Sequence, residues 1–261
     1  MRKNKYSIRC GKEKIDSILY TPSAEGQFPL VIHCNGMPGL PPEKDEIRFA
    51  KDFVNKSYAF FSFDYQGVRN STGIFDFYNS QLNINTIITE LLQRPEIDPS
   101  RTAIFGESFG GAMAISQTAR DTRIKCLLVR SPVFDTEVIQ ETIAFEDLTK
   151  IWTRNQQMRF PDIDLKKGYN TQTMHYNPKK LIHKIECPIC VVVGDKDEIL
   201  PIAGFKELYS KVSNEIKKEF HVIENADHNF TRNEHLEKMK KIFLIFLEIN
   251  LKKKPNAMIE V

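Results

Sequence analysis

The sequence predicts an α/β fold: a mostly parallel eight-stranded sheet with helices on both faces and an inserted cap. Short apolar runs of strand length alternate along the chain with longer segments whose apolar residues recur at helical spacing. Strands that alternate with helices form a mostly parallel sheet that is covered on both faces. The length of 261 residues suits a domain of this kind with a large buried core. The alternation is interrupted over residues 132–186, which indicates an insertion.

The elements are predicted from periodicity and from the turn residues between them. Residues 6–10 and 14–20 have strand composition and are joined by Gly11-Lys12-Glu13, so they predict an antiparallel hairpin. The proline-containing segment 95–100 is predicted to be a loop. The predicted strands span 6–10, 14–20, 30–34, 59–63, 102–105, 126–129, 189–193 and 219–223, and the predicted helices span 45–56, 81–92, 111–119, 202–212 and 235–251.

The insertion divides the chain into two parts. Residues 1–131 and 187–261 are predicted to form the core, and residues 132–186 a cap over the carboxyl edge of the sheet. Such lids supply contacts to substrates. Trp152 is our candidate for a substrate contact in the cap, although aromatic residues of an insertion also pack together as a small core of their own.

Composition excludes several classes of function. A hydrophobic content of 41% and a charged content of 27% are ordinary for a globular protein. The net charge of +3 is too small to indicate a nucleic-acid partner, and the basic run 252–254 is expected to be a solvated end. No apolar run approaches the length of a membrane span.

The five cysteines are an odd and scattered set, which argues against a disulfide framework. Cys187-Pro-Ile-Cys190 matches C-x-x-C, but no second pair completes a zinc site and no helix follows the first cysteine, as a redox motif requires. We therefore expect reduced thiols and no metal. Because residues 1–6 are charged and lack the apolar stretch of a signal peptide, we expect a cytoplasmic protein.

The segment 101–115 is the strongest functional signal. A short apolar strand leads into Gly106-Glu107-Ser108-Phe109-Gly110, which fits G-x-S-x-G, and a helix-forming run follows. Strand, sharp turn and helix are the context of a nucleophile elbow. The glycines allow the turn to be tight, so Ser108 is expected to project at the carboxyl end of the sheet, where the helix directs free N–H groups at the same point.

A serine nucleophile requires a base, usually a histidine that is oriented by a carboxylate. His228 follows the last predicted strand and is our candidate for the base. Asp197 follows the strand before it and is the favoured acid, with Asp195 and Glu198 as alternatives. Ser108, the acid and His228 thus follow strand ends in the order that this architecture requires.

A tetrahedral intermediate requires two N–H donors that are already in place. The N–H of Phe109, directly after the nucleophile, is the first candidate. The N–H of Met37 is the second, because Gly36 lets the chain turn after the strand 30–34 and Pro38 has no N–H to offer. An ordinary tight turn is the alternative for this segment.

With these residues the chain resembles the α/β-hydrolases from about residue 14 to residue 251. Residues 63–73, Phe-Asp-Tyr-Gln-Gly-Val-Arg-Asn-Ser-Thr-Gly, resemble the D-x-x-G-x-G-x-S segment of that family. Within it, the chain is similar to the small bacterial feruloyl and cinnamoyl esterases and related acyl hydrolases, which also carry a cap between the strands that hold the serine and the aspartate. The resemblance implies Ser108 as nucleophile, Asp197 as acid, His228 as base, and Met37 and Phe109 as the oxyanion hole.

The sequence departs from the family pattern at two places. Asn35-Gly36 replaces the usual His-Gly before the oxyanion residue, and Val68-Arg69 replaces the His-Gly after Gly67. Both departures change the rim of the site. Arg69 can either bind an anionic group of the substrate or form a surface ion pair.

The expected function is hydrolysis of carboxylic esters through an acyl-enzyme on Ser108. A thioesterase or an acyltransferase would use the same acyl-enzyme, a serine peptidase is a weaker alternative, and a non-catalytic binding protein is another. The chemistry calls for no cofactor, and the expected partner is a small acyl substrate. The acyl and alcohol groups are left open, as is the oligomeric state, for which a homodimer is one candidate.

Overall fold

In the computed structural model, which describes residues 1–139, 143–161 and 170–251, eight strands form one sheet in the order β1-β2-β4-β3-β5-β6-β7-β8. β1 pairs antiparallel with β2 and β2 with β4, while all other neighbours are parallel. The predicted fold class is confirmed. The strands are β1 Arg2–Cys10, β2 Glu13–Thr21, β3 Phe28–Cys34, β4 Ala59–Phe63, β5 Ile97–Glu107, β6 Cys126–Arg130, β7 Ile189–Gly194 and β8 Lys218–Ile223.

Helices cover both faces of this sheet. The described helices are α1 Lys51–Asn55, which continues a π-helical segment Glu46–Ala50, then α2 Phe77–Leu91, α3 Phe109–Thr118, α4 Thr136–Ile139, α5 Ile143–Arg154, α6 Asn170–His175, α7 Pro178–Leu181, α8 Ile202–Ser210 and α9 Asn233–Leu251. α2, α3 and α8 bury their apolar residues in one core cluster. α1 and α9 bury theirs in a second cluster on the opposite face.

Two of the boundaries that differ from the sequence prediction do so for local reasons. β5 begins at Ile97, inside the predicted loop, because Ile97 pairs with Phe28 of β3 before the register shifts. α2 begins at Phe77, four residues earlier than predicted, because Asp76 caps it by accepting the N–H of Asn79 at 2.6 Å. Both features depend on single contacts that periodicity does not reveal.

Between β6 and β7 the described part of the insertion contains α4 to α7, a short 3₁₀ turn at Ile182–Lys184 and irregular segments between them. It is tied to the core by an isolated bridge between Val68 and Met158. Parts of the predicted cap, 140–142 and 162–169, and the basic tail lie outside the described residues.

Two further expectations concern the cysteines and membrane spans. All five cysteines lie in described segments and are free thiols; four are buried and Cys187 is half-buried. Among the described helices, none combines the length and the apolar character that a membrane crossing needs.

Candidate active site

Ser108 sits at the turn between β5 and α3 in a strained conformation. Its φ of 50° and ψ of −117° lie in a region that residues with a side chain rarely adopt. The glycines on either side make this turn sterically feasible. A Cβ on Gly106 would lie 2.5 Å from the Gly110 carbonyl oxygen, and a Cβ on Gly110 would lie 2.0 Å from that of Cys34. The structure thus has the strand-turn-helix geometry that the sequence predicts.

Ser108, His228 and Asp197 form one hydrogen-bonded chain. The Ser108 Oγ lies 3.0 Å from the His228 Nε2, and the His228 Nδ1 lies 2.8 and 3.0 Å from the two carboxylate oxygens of Asp197. An ionised carboxylate can only accept, so Nδ1 carries the imidazole proton and the Nε2 lone pair faces the hydroxyl. The arrangement can therefore take up the serine proton.

The environment of Asp197 favours its ionised form. Its side chain is 1% exposed, and burial alone would raise its pKa. The hydrogen bond and electrostatic attraction of the His228 imidazole, together with the backbone N–H of Leu200, instead hold the pKa of Asp197 below its ordinary value. The structure also separates the three candidate acids. Asp195 accepts the N–H of Asn225 at 2.6 Å, whereas Glu198 accepts the backbone N–H of His228 at 3.1 Å.

One predicted oxyanion donor directly follows Ser108, and the other belongs to a loop that lies against it. Phe109 is the first residue of α3, so its N–H has no acceptor within the helix. The loop after β3 lies directly against the nucleophile, because a Cβ on Gly36 would be 3.5 Å from the Cβ of Ser108. Met37, the next residue, packs half-buried on the core. Donation by these two N–H groups to an oxyanion stays a prediction.

Arg69 ties two loops together. Its Nε donates to Asp64 at 2.9 Å and its Nη2 also pairs with that carboxylate. Nη1 and Nη2 donate to the carbonyl oxygens of Gly39 and Leu40 at 3.2 and 3.0 Å. The sequence allows Arg69 either to bind a substrate anion or to form a surface ion pair. In the structure Arg69 forms an ion pair with Asp64 that is part-buried, and its other hydrogen bonds hold the loop that follows Gly36. Contact of Arg69 with a substrate stays a prediction.

Trp152 lies on α5 and packs half-buried against the core cluster that contains Ser108's neighbour Phe109. Its carbonyl oxygen accepts the N–H groups of Gln157 and Met158 at 2.9 and 3.3 Å, which turns the chain back towards the core. A role of Trp152 in substrate binding stays a prediction.

The sequence reasoning missed a set of buried charges beneath the site. The carboxylate of Glu107 lies 2.5 Å from the guanidinium of Arg130 and 3.0 Å from the Nε2 of His33, whose Nδ1 lies 2.7 Å from Asp45. Burial alone would lower the pKa of His33, but the two carboxylates raise it to about 9. Burial opposes ionisation of Glu107 as well, yet Arg130 and His33 hold its pKa far below the ordinary value. Charged residues at the ends of otherwise apolar strands were the available signal.

One group of potential metal ligands lies close together in the described segments. Ligand atoms of Cys190, Glu219 and His221 lie within 4.8 Å of one another, on β7 and β8. Cys190 and Glu219 are near the amino ends of their strands, whereas Ser108, Asp197 and His228 follow carboxyl ends. Burial raises the pKa of the Cys190 thiol far above its ordinary range, which disfavours the thiolate that binds metals.

Two bacterial proteins are similar to this chain in amino-acid sequence. An Escherichia coli protein, described as an uncharacterized 31.7 kDa protein in the traX-finO intergenic region, is 24% identical over 245 residues, covering 79% of this chain and 84% of that protein. The quorum-quenching protein AidA of Acinetobacter baumannii (strain MDR-ZJ06) is 29% identical over 126 residues, covering 47% of this chain and 41% of that protein.

One solved structure shows the fold of this chain, and one family profile shows its family. Est1E from Butyrivibrio proteoclasticus with bound ferulic acid matches with a TM-score of 0.78 at 19% identity, covering 95% of this chain and 100% of that chain. This similarity shows a shared fold. The sequence profile of the prolyl oligopeptidase family matches residues 79–254, a span that includes Ser108 and His228. The chain therefore belongs to the prolyl oligopeptidase family and is a hydrolase with the α/β-hydrolase fold.

Proposed function

We propose that this protein cleaves carboxylic esters through an acyl-enzyme on Ser108. The Ser108 Oγ attacks the ester carbonyl carbon while the Nε2 of His228 takes the hydroxyl proton. The tetrahedral intermediate collapses, its carbon–oxygen bond to the alcohol breaks, and His228 returns the proton to the leaving alkoxide. The observation that carries the proposal is the 3.0 Å contact between Ser108 and a histidine whose other nitrogen is held by Asp197.

Deacylation repeats these steps with water. His228 takes a proton from the attacking water, the ester bond to Ser108 breaks, and the proton passes to the serine oxygen. Asp197 stabilises the imidazolium in both halves and stays ionised. The N–H groups of Phe109 and Met37 stabilise the oxyanion; the support is that Phe109 directly follows Ser108 and that Gly36, the residue before Met37, lies against it.

The insertion 132–186 is proposed as a cap that contacts the substrate, with Trp152 as one contact. Supporting this, the N–H of Val133, at the start of the insertion, donates to the Ser108 carbonyl at 2.9 Å, so the segment starts at the nucleophile. The substrate proposed for such a site is a small acyl compound, which enters between the cap and the carboxyl edge of the sheet.

The deciding experiment compares the wild type with Ser108→Ala on a short-chain p-nitrophenyl ester. We expect turnover by the wild type, none above background by the variant, and a fluorophosphonate adduct on Ser108 in the wild type alone. An undiminished rate in Ser108→Ala would refute the proposal. An unlabelled wild-type serine would favour a non-catalytic binding protein instead.

Substrates with the same acyl group distinguish ester hydrolysis from peptidase, thioesterase and acyltransferase activity. The family membership favours testing a peptide bond, for which a prolyl p-nitroanilide serves. A matched thioester tests the thioesterase alternative, and an added alcohol or amine that accelerates loss of the acyl group tests the acyltransferase. An ester is the least demanding of the oxygen and nitrogen substrates, because its carbonyl is less resonance-stabilised than that of an amide and because an alkoxide leaves more readily than an amide anion. We expect the ester to be cleaved faster than the anilide.

A further inference from the structure

The residue directly before the nucleophile is a buried acid with buried cationic partners. Glu107 and Arg130 end the neighbouring strands β5 and β6 and pair with each other in the register of the sheet. Their side chains are 6% and 4% exposed and lie 2.5 Å apart. Burying charges is unfavourable unless they are paired and hydrogen-bonded, so this placement requires an explanation beyond packing.

Arg130 contacts both halves of the proposed catalytic pair through their backbones. Its Nη1 donates to the carbonyl oxygen of His228 at 2.7 Å. Its own carbonyl oxygen accepts the N–H of Ser108 at 3.1 Å. One residue thereby spans the loop of the base and the turn of the nucleophile, which are 120 positions apart in the sequence.

A second guanidinium repeats this contact on the next residue of the loop. The Nη2 of Arg48 donates to the carbonyl oxygen of Asn229 at 3.0 Å and lies 3.7 Å from the Glu107 carboxylate. Glu107 thus faces two arginines that hold consecutive carbonyl groups next to the imidazole. Its other oxygen faces His33 at 3.0 Å.

We propose that Arg130, held in place by Glu107, is a positioning residue that sets the distance between the Ser108 hydroxyl and the His228 imidazole. This inference rests on the proposed hydrolase function. Arg130 touches no reacting atom and acts through the backbone carbonyl of His228. A fixed fork of donors suits the task, because a planar guanidinium holds a carboxylate and a carbonyl in set directions, whereas the three donors of a lysine ammonium rotate on a flexible stem.

The test uses Arg130→Lys, which keeps the charge beside Glu107 but removes the fork. A misplacement of about 1 Å costs on the order of 100-fold in rate. We expect kcat on a p-nitrophenyl ester to fall about 10- to 100-fold while KM changes less than about twofold. Arg101→Lys is the matched control, because Arg101 pairs with Asp98 at 2.8 Å near the opposite end of β5. That variant should keep full kcat.

A double-mutant cycle separates positioning from general support of the fold. If Arg130 acts through the imidazole, Arg130→Lys should cause no further loss in a His228→Ala background. The same fold loss in both backgrounds would overturn the proposal, as would full kcat in Arg130→Lys. Should Arg130→Lys fail to fold, the double variant Glu107→Gln with Arg130→Met removes both charges together, and the same outcomes decide.

A measurement that does not depend on turnover tests the positioning role separately from the proposed hydrolase activity. Imidazole NMR of the intact protein reports the His228 resonances and their pH titration. Arg130→Lys should shift both and Arg101→Lys neither, and unchanged His228 resonances would overturn the positioning role. An inactive wild type with shifted resonances would refute the hydrolase activity and leave the positioning role supported.

Discussion

Replacing Asp197 with asparagine tests the orientation of the proposed base most directly. The Asp197 Oδ1 accepts the backbone N–H groups of Ile199 and Leu200 at 3.0 and 2.8 Å. An asparagine must keep its single oxygen facing those fixed donors. Its NH₂ group then occupies the place of Oδ2, which at 2.8 Å is nearer to the His228 Nδ1 than Oδ1 at 3.0 Å, and we expect it to donate to that nitrogen.

The magnitude follows from the tautomer that this forces. With Nδ1 accepting, the imidazole proton moves to Nε2, which faces the Ser108 hydroxyl 3.0 Å away and can no longer accept its proton. The same exchange in a serine protease with this triad lowers kcat by about 10⁴, or roughly 5 kcal/mol in the activation barrier. We expect a loss of similar size here, with little change in folding because the two side chains have the same shape.

The assay is kcat and KM on a short-chain p-nitrophenyl ester for three isosteric variants. Asp195→Asn and Glu198→Gln are the matched controls, because their carboxylates accept backbone N–H groups rather than the imidazole. We expect both controls to stay within about tenfold of the wild type. If Asp197→Asn also stays within tenfold, or if one control falls to background instead, the assignment of the acid is wrong.

Three other outcomes follow from single residues. Gly110→Ala should give no folded protein by circular dichroism, because its Cβ would lie 2.0 Å from the backbone oxygen of Cys34; soluble native protein would contradict this. Gly36→Ala should fold, because its Cβ would make an ordinary 3.5 Å contact with the Ser108 Cβ, and it should raise KM in the ester assay, because the added methyl group takes up space beside the nucleophile; a wild-type KM would contradict this. The pKa of His33, raised from 6.5 to about 9 although burial opposes it, predicts stability that is fully present below pH 6.5 and lost as the pH rises through 9. Chemical denaturation should show a loss of roughly 3 kcal/mol across this range in the wild type and a flatter profile in the less stable His33→Gln.

The sheet could be predicted because its signals are local. Apolar runs of strand length and helical spacing between them identify all eight strands and the five helices that cover them. Where a boundary depends on one contact, the pattern fails. The cap of α2 by Asp76 and the pairing of Ile97 with Phe28 each move an element by several residues.

The positions of Ser108, Asp197 and His228 could be predicted because chain order and parallel strands bring their loops to one edge. The choice among three acids on one loop could only be a preference, since it depends on side-chain direction. The partners of Arg69 were also beyond the sequence, because Gly39 and Leu40 approach it only through the tertiary fold. For buried charges such as Glu107, the position at a strand end was a signal, but the partners depend on the tertiary fold in the same way.

The charges beneath the site have consequences for stability as well as for geometry. Well-packed apolar residues in place of a buried ion pair are often as stabilising or more so, so stability alone does not account for Glu107 and Arg130. Their hydrogen bonds and ion contacts connect four elements. Glu107, at the end of β5, contacts His33 on β3 and Arg130 at the end of β6, and Arg130 contacts the loop of His228. Displacing any one of these elements would leave a buried charge without its partner, at a cost of about 3–5 kcal/mol. Because other arrangements would incur this penalty, one arrangement of nucleophile and base is favoured. The same contacts help to hold Ser108 in its strained conformation.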